Sequence, residues 1–286
     1  MSRNKDRLGM GMSTPQHAPT PPQQTQASGE GFSFVVPTEF VELPSKGKFY
    51  PANHALHNRE SIEIKQMTAK EEDMLTSRSL LRKGVALDRV LESVVLDKSI
   101  RPNELLVGDR NAIIVAMRVN GYGSDYATQI SCPSCNTSQK YNFNLNELEY
   151  FHGDSDLTSD VKDLGGGFFS TVLPRLKATV TFRLLNGDDE KRMMKKLETD
   201  RKEHRQENLI TSHLYNMIVG VNGSNEPVHI QSLIDSIPSS DARHLRLMYK
   251  LTAPNLDMNQ YFECASCDHQ QELEVPLTAD FFWPDR

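Results

Sequence analysis

Apolar positions along this chain switch between the period of a strand and the period of a helix, and the switches occur in the same order twice. Residues 61–67 (SIEIKQM) alternate Ile62, Ile64 and Gln66 with polar neighbours, which predicts a strand with one buried face. Thr68 followed by Glu71 is a capping-box signature, and Glu71, Glu72 and Asp73 suit the positive end of the helix it predicts. Gly84 should end that helix. A second is expected from about residue 86 to 96, with Leu87, Val90, Leu91, Val94 and Val95 on one stripe. Pro102 and Gly108 bracket a short turn, and a third helix begins near Asp109 with Ile113, Ile114 and Met117 inward. The pair Cys132/Cys135 follows, then Tyr141, Phe143 and Leu145 alternating as a strand.

Beyond residue 168 the series recurs. Ala178, Val180, Phe182 and Leu184 alternate, and Asn186 to Glu190 opens an acidic-capped helix. A further helix carries Leu209, Ile210, Leu214, Met217, Ile218 and Val221. Asp241 starts another, with Leu245, Met248 and Leu251 inward. The pair Cys264/Cys267 and a strand of Leu273, Val275 and Leu277 close the series. One step of 132 residues carries Asp109 to Asp241, Asp125 to Asp257, Cys132 to Cys264 and Cys135 to Cys267. Identities are few, with seven in the 43 positions 109–151, but the inward-facing classes and both cysteine pairs stay in phase through helix, turn and strand. This pattern predicts an internally duplicated unit.

The expected fold class is therefore α+β, with two pseudo-repeated halves joined at a four-cysteine, zinc-ribbon-like site. Residues 1–33, rich in Pro, Gln, Thr and Ser, lack the apolar side chains that offset the entropy of ordering a backbone and are read as a disordered arm. Residues 34–151 form the first repeat, 152–168 a Gly/Asp-rich linker, and 169–286 the second repeat.

Composition narrows the function. A net charge of −6 and a pI near 5.9 argue against a protein that works by covering phosphates with positive charge. No apolar run approaches the roughly 18 to 20 residues needed to span a bilayer. The charged N-terminus lacks the apolar core of a secretory signal. All four cysteines fall in CxxC pairs, which fits a metal site in a reducing compartment better than a disulfide framework.

Two thiolates two residues apart at a tight turn can bind one tetrahedral ion, so each pair supplies half of a closed four-sulfur zinc shell. The economical arrangement is one structural zinc held by Cys132, Cys135, Cys264 and Cys267, with metal binding contributing to the docking of the halves. A thioredoxin-like dithiol would need a CxxC at a helix N-terminus after a strand, whereas both pairs here precede polar turns and period-2 strands. Separate sites could draw on His269 or His152, but the first half has no equivalent of His269. Four thiolates leave no open coordination position, so a catalytic zinc is not expected.

Other candidates carry less. Residues 187–206 are densely charged with both signs intermixed, the pattern of a solvated helix face, although Lys191, Arg192, Lys195 and Lys196 could meet an acidic partner or nucleic acid. Gly165-Gly166-Gly167 lacks the lysine and hydroxyl of a phosphate loop. No HExxH and no Ser/His/Asp spacing suggests a hydrolase.

FVELPSKGKFYP (40–51), IEIKQMTAKEEDML (62–75), LLVGDRNAIIVAMRVNGYG (105–123), the segments YATQISCPSC and YFECASC, and the closing FFWP, taken in order, resemble the baseplate hub subunit or hub-assembly family of T-even-type contractile-tailed phages. The resemblance implies a non-enzymatic structural or assembly role in the central hub of the tail baseplate. Its partners would be other phage tail and hub proteins, with no membrane, nucleic acid or small-molecule substrate. The chain would be found in the host cytoplasm during assembly and then in the virion tail. The alternatives are a zinc-ribbon nucleic-acid-binding accessory protein and a dithiol oxidoreductase.

Overall fold

Val41 and Ile62 face each other across an antiparallel pair, strand β1 (Thr38–Glu42) against β2 (Ser61–Lys65), and with Ile64 they start the first core. The computed structural model describes residues 35–153, 160–206, 208–276 and 279–282; the arm expected over 1–33 and Leu277 lie outside the described residues. Helix α1 (Ala69–Thr76) starts where the capping box places it, with the Thr68 N–H and hydroxyl both donating to Glu71 Oε2. The other oxygen of Glu71 accepts from Lys65 Nζ at 2.8 Å and Ser93 Oγ at 2.5 Å, so a fully buried carboxylate ties the strand and the helix cap to the later helix that carries Ser93. The helix expected to run on to Gly84 breaks at Ser77, whose extended backbone leads into a short α2 (Arg78–Arg82); Gly84, at φ 65°, ends α2 instead.

Helix α3 (Ala86–Val94) buries Val90, Leu91 and Val94 as its stripe predicts, but stops two residues early, because Val95 bridges to Ile64 and the Leu96 N–H reaches Glu63 O on the free side of β2. Helix α4 (Val107–Tyr122) then crosses the core. Gly108 lets the helix lie against the chain near Pro254, whose carbonyl oxygen would be only 2.1 Å from a Cβ at that position. A hairpin, β3 (Asp125–Ser131) with β4 (Ser138–Asn144), carries the first CxxC, and β5 (Glu149–Phe151) follows.

Part of the stretch expected to be linker is ordered sheet. Strand β6 (Val161–Gly165) pairs with β7 (Phe168–Val172) through a turn of three glycines, all at positive φ, and Val161 enters the second core. β7 pairs with β8 (Thr179–Arg183), and β8 with β9 (Ile218–Val221), completing a four-stranded antiparallel sheet. Ile218 and Val221 therefore belong to a strand rather than to the helix expected there: α6 (Leu209–Met217) ends at Met217, and pairing with β8 takes over. Between them α5 (Gly187–Lys202) opens with an Asn186/Asp189 capping box. Helix α7 (Pro227–Ser236), begun by a proline at its first position, was not expected from the pattern. Helix α8 (Ser239–Thr252) leads to β10 (Asn255–Asp257), and the hairpin β11 (Asn259–Glu263) with β12 (Gln270–Glu274) carries the second CxxC.

The same arrangement of side chains occurs in both stretches. Lys65 and Glu71 form one buried pair from strand end to helix cap; Arg183 and Asp189 form the other, each 118 residues on. Asp109 accepts from the Ser45 N–H and hydroxyl and from the Tyr50 hydroxyl, while Asp241 accepts from the N–H groups of Arg175 and Leu176 in the matching Leu-Pro turn. Helices and strands are mixed throughout, and the described residues form two main apolar cores. The first is not sequence-contiguous: Leu256, Met258, Val275, Phe281 and Phe282 join it from the C-terminal region, and β10 pairs with β5. The fully buried Arg118 holds this return in place, donating to Phe281 O, Gly123 O and Asp125 O.

Candidate metal centre

The turn of each CxxC hairpin is built in the same way. In the first, the Cys132 N–H donates to Thr137 O, the Asn136 N–H donates back to Cys132 O, and Asn136 takes φ 57°. In the second, the Cys264 N–H donates to His269 O, the Asp268 N–H to Cys264 O, and Asp268 takes φ 51°. Asn and Asp are the non-glycine residues that accept this left-handed backbone at least cost, which closes the turn and aims both sulfurs to one side.

The two turns face each other. Cys132 Sγ lies 3.8 Å from Cys267 Sγ and Cys135 Sγ 3.7 Å from Cys264 Sγ, and all four sulfurs lie within 4.8 Å of one another. A tetrahedron with zinc–sulfur bonds of about 2.3 Å has sulfur–sulfur edges of about 3.8 Å, so the spacing suits a four-thiolate ion shell. All four cysteines are free thiols, and separations near 3.7 Å are far beyond the roughly 2.05 Å of a disulfide. The first cysteine of each pair is buried and the second exposed, with Phe262, Ile130, Tyr141 and Leu273 packed around the buried sulfurs.

Electrostatics separates the thiols. Thr137, through its hydroxyl and N–H, and then the Cys267 and Cys132 thiols hold Cys135 down to about 6. The His269 N–H pulls Cys267 down, but donation to Cys135, burial and the other thiols outweigh it and push Cys267 up to about 12. Thiols this close share protons around one thiolate, and a dication at their centre would favour deprotonation of all four.

Hydrogen bonds lock the hairpins together near the sulfurs. Gln139 donates to Glu263 O and accepts from the Ala265 N–H, and the Tyr141 hydroxyl donates to Tyr261 O at 2.6 Å. In return Gln260 accepts from the Asn144 N–H and donates to Asn144 O. These bridging residues were not singled out as site residues by the sequence reading. Only Gln139, identical to Gln271 under the 132-residue step, carried a signal.

The structure brings together all four cysteines read as ligands. It places the two histidines elsewhere: His269 Nε2 lies against Gln271 Oε1, and His152 Nδ1 against Pro44 O. Neither CxxC begins a helix, which removes the geometry of a thioredoxin-type dithiol. The charged stretch 187–206 is only partly a solvated face, because Glu190 pairs with Arg110 and Lys191 with Asp88, while Glu198 and Lys202 form an i,i+4 pair. No helix among the described residues is long and apolar enough to cross a membrane.

Residues 36–164, which include β1 to β5 and the first CxxC hairpin, match the family model described as T4 bacteriophage base plate protein. No curated protein and no solved structure matches the chain.

Proposed function

We propose, from the match of residues 36–164 to the T4 bacteriophage base plate protein family model, that the chain is a non-enzymatic structural or assembly component of the baseplate hub of a contractile tail, made of two duplicated halves braced by one zinc ion. It would be built in the host cytoplasm and act in the virion tail baseplate beside other hub proteins. Cys132, Cys135, Cys264 and Cys267 are the ligands in this reading. The observation that carries it is that thiols from hairpins 132 residues apart in sequence lie within 4.8 Å of one another. The repeated cap, clamp and turn geometry supports duplication, since chance would have to produce a buried strand-to-cap ion pair and a buried Leu-Pro clamp twice. A closed four-thiolate shell would serve as a brace and leaves no position for substrate.

Metal analysis of protein purified under reducing, anaerobic conditions tests the brace: one zinc per chain is expected, and none would overturn it. Incorporation of tagged chain into isolated baseplates tests the hub role; its absence from both baseplates and assembly intermediates would refute that role whatever the metal result.

A further inference from the structure

The two sheets differ by one strand. β7 has β8 on one edge and β6 on the other, whereas β1 has β2 on one edge and, among the described residues, no strand on the other. β1 and β7 correspond, since each enters a Leu-Pro turn clamped by a buried aspartate. The edge of β1 that corresponds to the β6 position is therefore open.

A groove of 280 Å³ lies between α4 and the segment that leads into β5. Val115, Ala116, Val119 and Asn120 of α4 line one side, with Leu148 and Tyr150 opposite. Asn120 donates to Glu39 Oε2 on β1, and Glu42 of β1 lies near Tyr150, so strand and groove are contiguous. In the second half the inward side chain of β6, Val161, is buried in the core that also contains Met248 and Leu251 of α8, the positions matching Ala116 and Val119. Glu39 Oε1 is buried and has no hydrogen-bond donor among the described residues.

Residues 35–37, which lead into β1, do not turn back as the chain between β6 and β7 does. β6 returns onto β7 through Gly165, Gly166 and Gly167, all at positive φ. Before β1 stand Val35, Val36 and Pro37; the residue before a proline is held extended, and Pro37 O still accepts from the Gln66 N–H in line with β2. Glu39 and Glu42 make β1 itself acidic, with the His152 ring 4.0 Å from Glu42, and this disfavours a second copy presenting the same acidic edge.

From these observations we infer that the open edge of β1 receives an extended segment of another protein, alternating apolar and basic residues, as an added strand. Its backbone pairs with Thr38 to Val41, one apolar side chain enters the α4 groove, and its basic residues meet Glu39 and Glu42. The inference rests on the correspondence of the two sheets and not on the metal, so failure of zinc binding leaves it standing.

Hydrogen–deuterium exchange on the full chain tests it, with acetylated Val-Lys-Val-Lys-Val-Lys as probe and Val-Glu-Val-Glu-Val-Glu as control. In the chain alone, β1 should exchange faster than β7. The lysine peptide should slow β1 by about tenfold, the glutamate peptide should not, and Glu42→Lys should weaken the response to lysine. Ala116→Trp, which fills the groove, should abolish the response while zinc content and far-UV dichroism stay unchanged. Protection of β1 in the chain alone at every concentration, protection that rises with chain concentration, equal protection by both peptides, or none by either would each overturn the inference.

Discussion

Asp109 and Asp241 stand 132 residues apart, are each fully buried in the first turn of a helix, and each receive the backbone of a Leu-Pro turn. The two carboxylates do the same work in different cores. Burial pushes Asp109 above the ordinary carboxylate range, while Ser45 and Tyr50 pull against that rise. Its value to the fold therefore lies in accepting hydrogen bonds that no apolar residue could satisfy.

Asp109→Asn keeps the shape but replaces one acceptor oxygen with an NH₂ group facing donors. It should cost about 1–3 kcal/mol, read as a lower urea midpoint at unchanged slope. Asp241→Asn should behave alike, because two backbone N–H groups converge on its carboxylate. A change in only one of the pair would argue against equivalent roles.

Glu71 gives the fold an acid-sensitive joint. Burial raises its pKa, but Lys65, Ser93 and Thr68 outweigh that effect and hold it at about 2. A carboxylate depressed in the folded state contributes stability above its unfolded pKa, near 4.5, and loses that contribution as pH falls toward 2. Glu71→Gln should accordingly destabilise by about 1–2 kcal/mol at neutral pH, a figure reduced because Lys65 is partly solvated, and the gap from wild type should close progressively below about pH 4.5. A gap constant down to pH 2.5 would contradict this.

Cobalt substitution reads the ligand set directly. Four thiolates around Co²⁺ should give strong sulfur-to-metal charge transfer and the intense visible bands of a tetrahedral ion. Cys264→Ser should weaken both and lower metal affinity by about tenfold or more, whereas His269→Ala should leave the spectrum unchanged. Loss of the bands in the histidine variant would redraw the site.

Gln139→Ala removes two hydrogen bonds that bind the first hairpin to the second. A cost of about 1–2 kcal/mol is expected, together with faster zinc loss to a chelator. Unchanged release would show that the sulfurs alone hold the hairpins together.

Arg118→Met should free the C-terminal turn at Phe281 from α4, leaving three carbonyl acceptors without a donor. Increased proteolysis near the C-terminus at unchanged zinc content is the expected readout.

Periodicity and spacing by themselves determined α1, α3, α4, α5 and α8, the β2 and β8 strands, and the four cysteines as a set, because each rests on local rules: a cap, a stripe, an alternation or a fixed step. The resemblance to baseplate proteins was equally legible in short ordered segments, and the family match over residues 36–164 agrees with it. Other features depended on contacts between distant residues. Ile218 and Val221 fit a helical stripe until β8 offered them a sheet edge, and the glycines of 165–167 read as linker until β6 and β7 closed across them. Lys191 and Glu190 look solvated in sequence, yet Asp88 and Arg110 claim them in the fold. Tertiary structure alone decided that the C-terminal region returns to the first core and that β1 keeps one edge with no strand on it among the described residues, since sheet pairing and core membership depend on which surfaces meet.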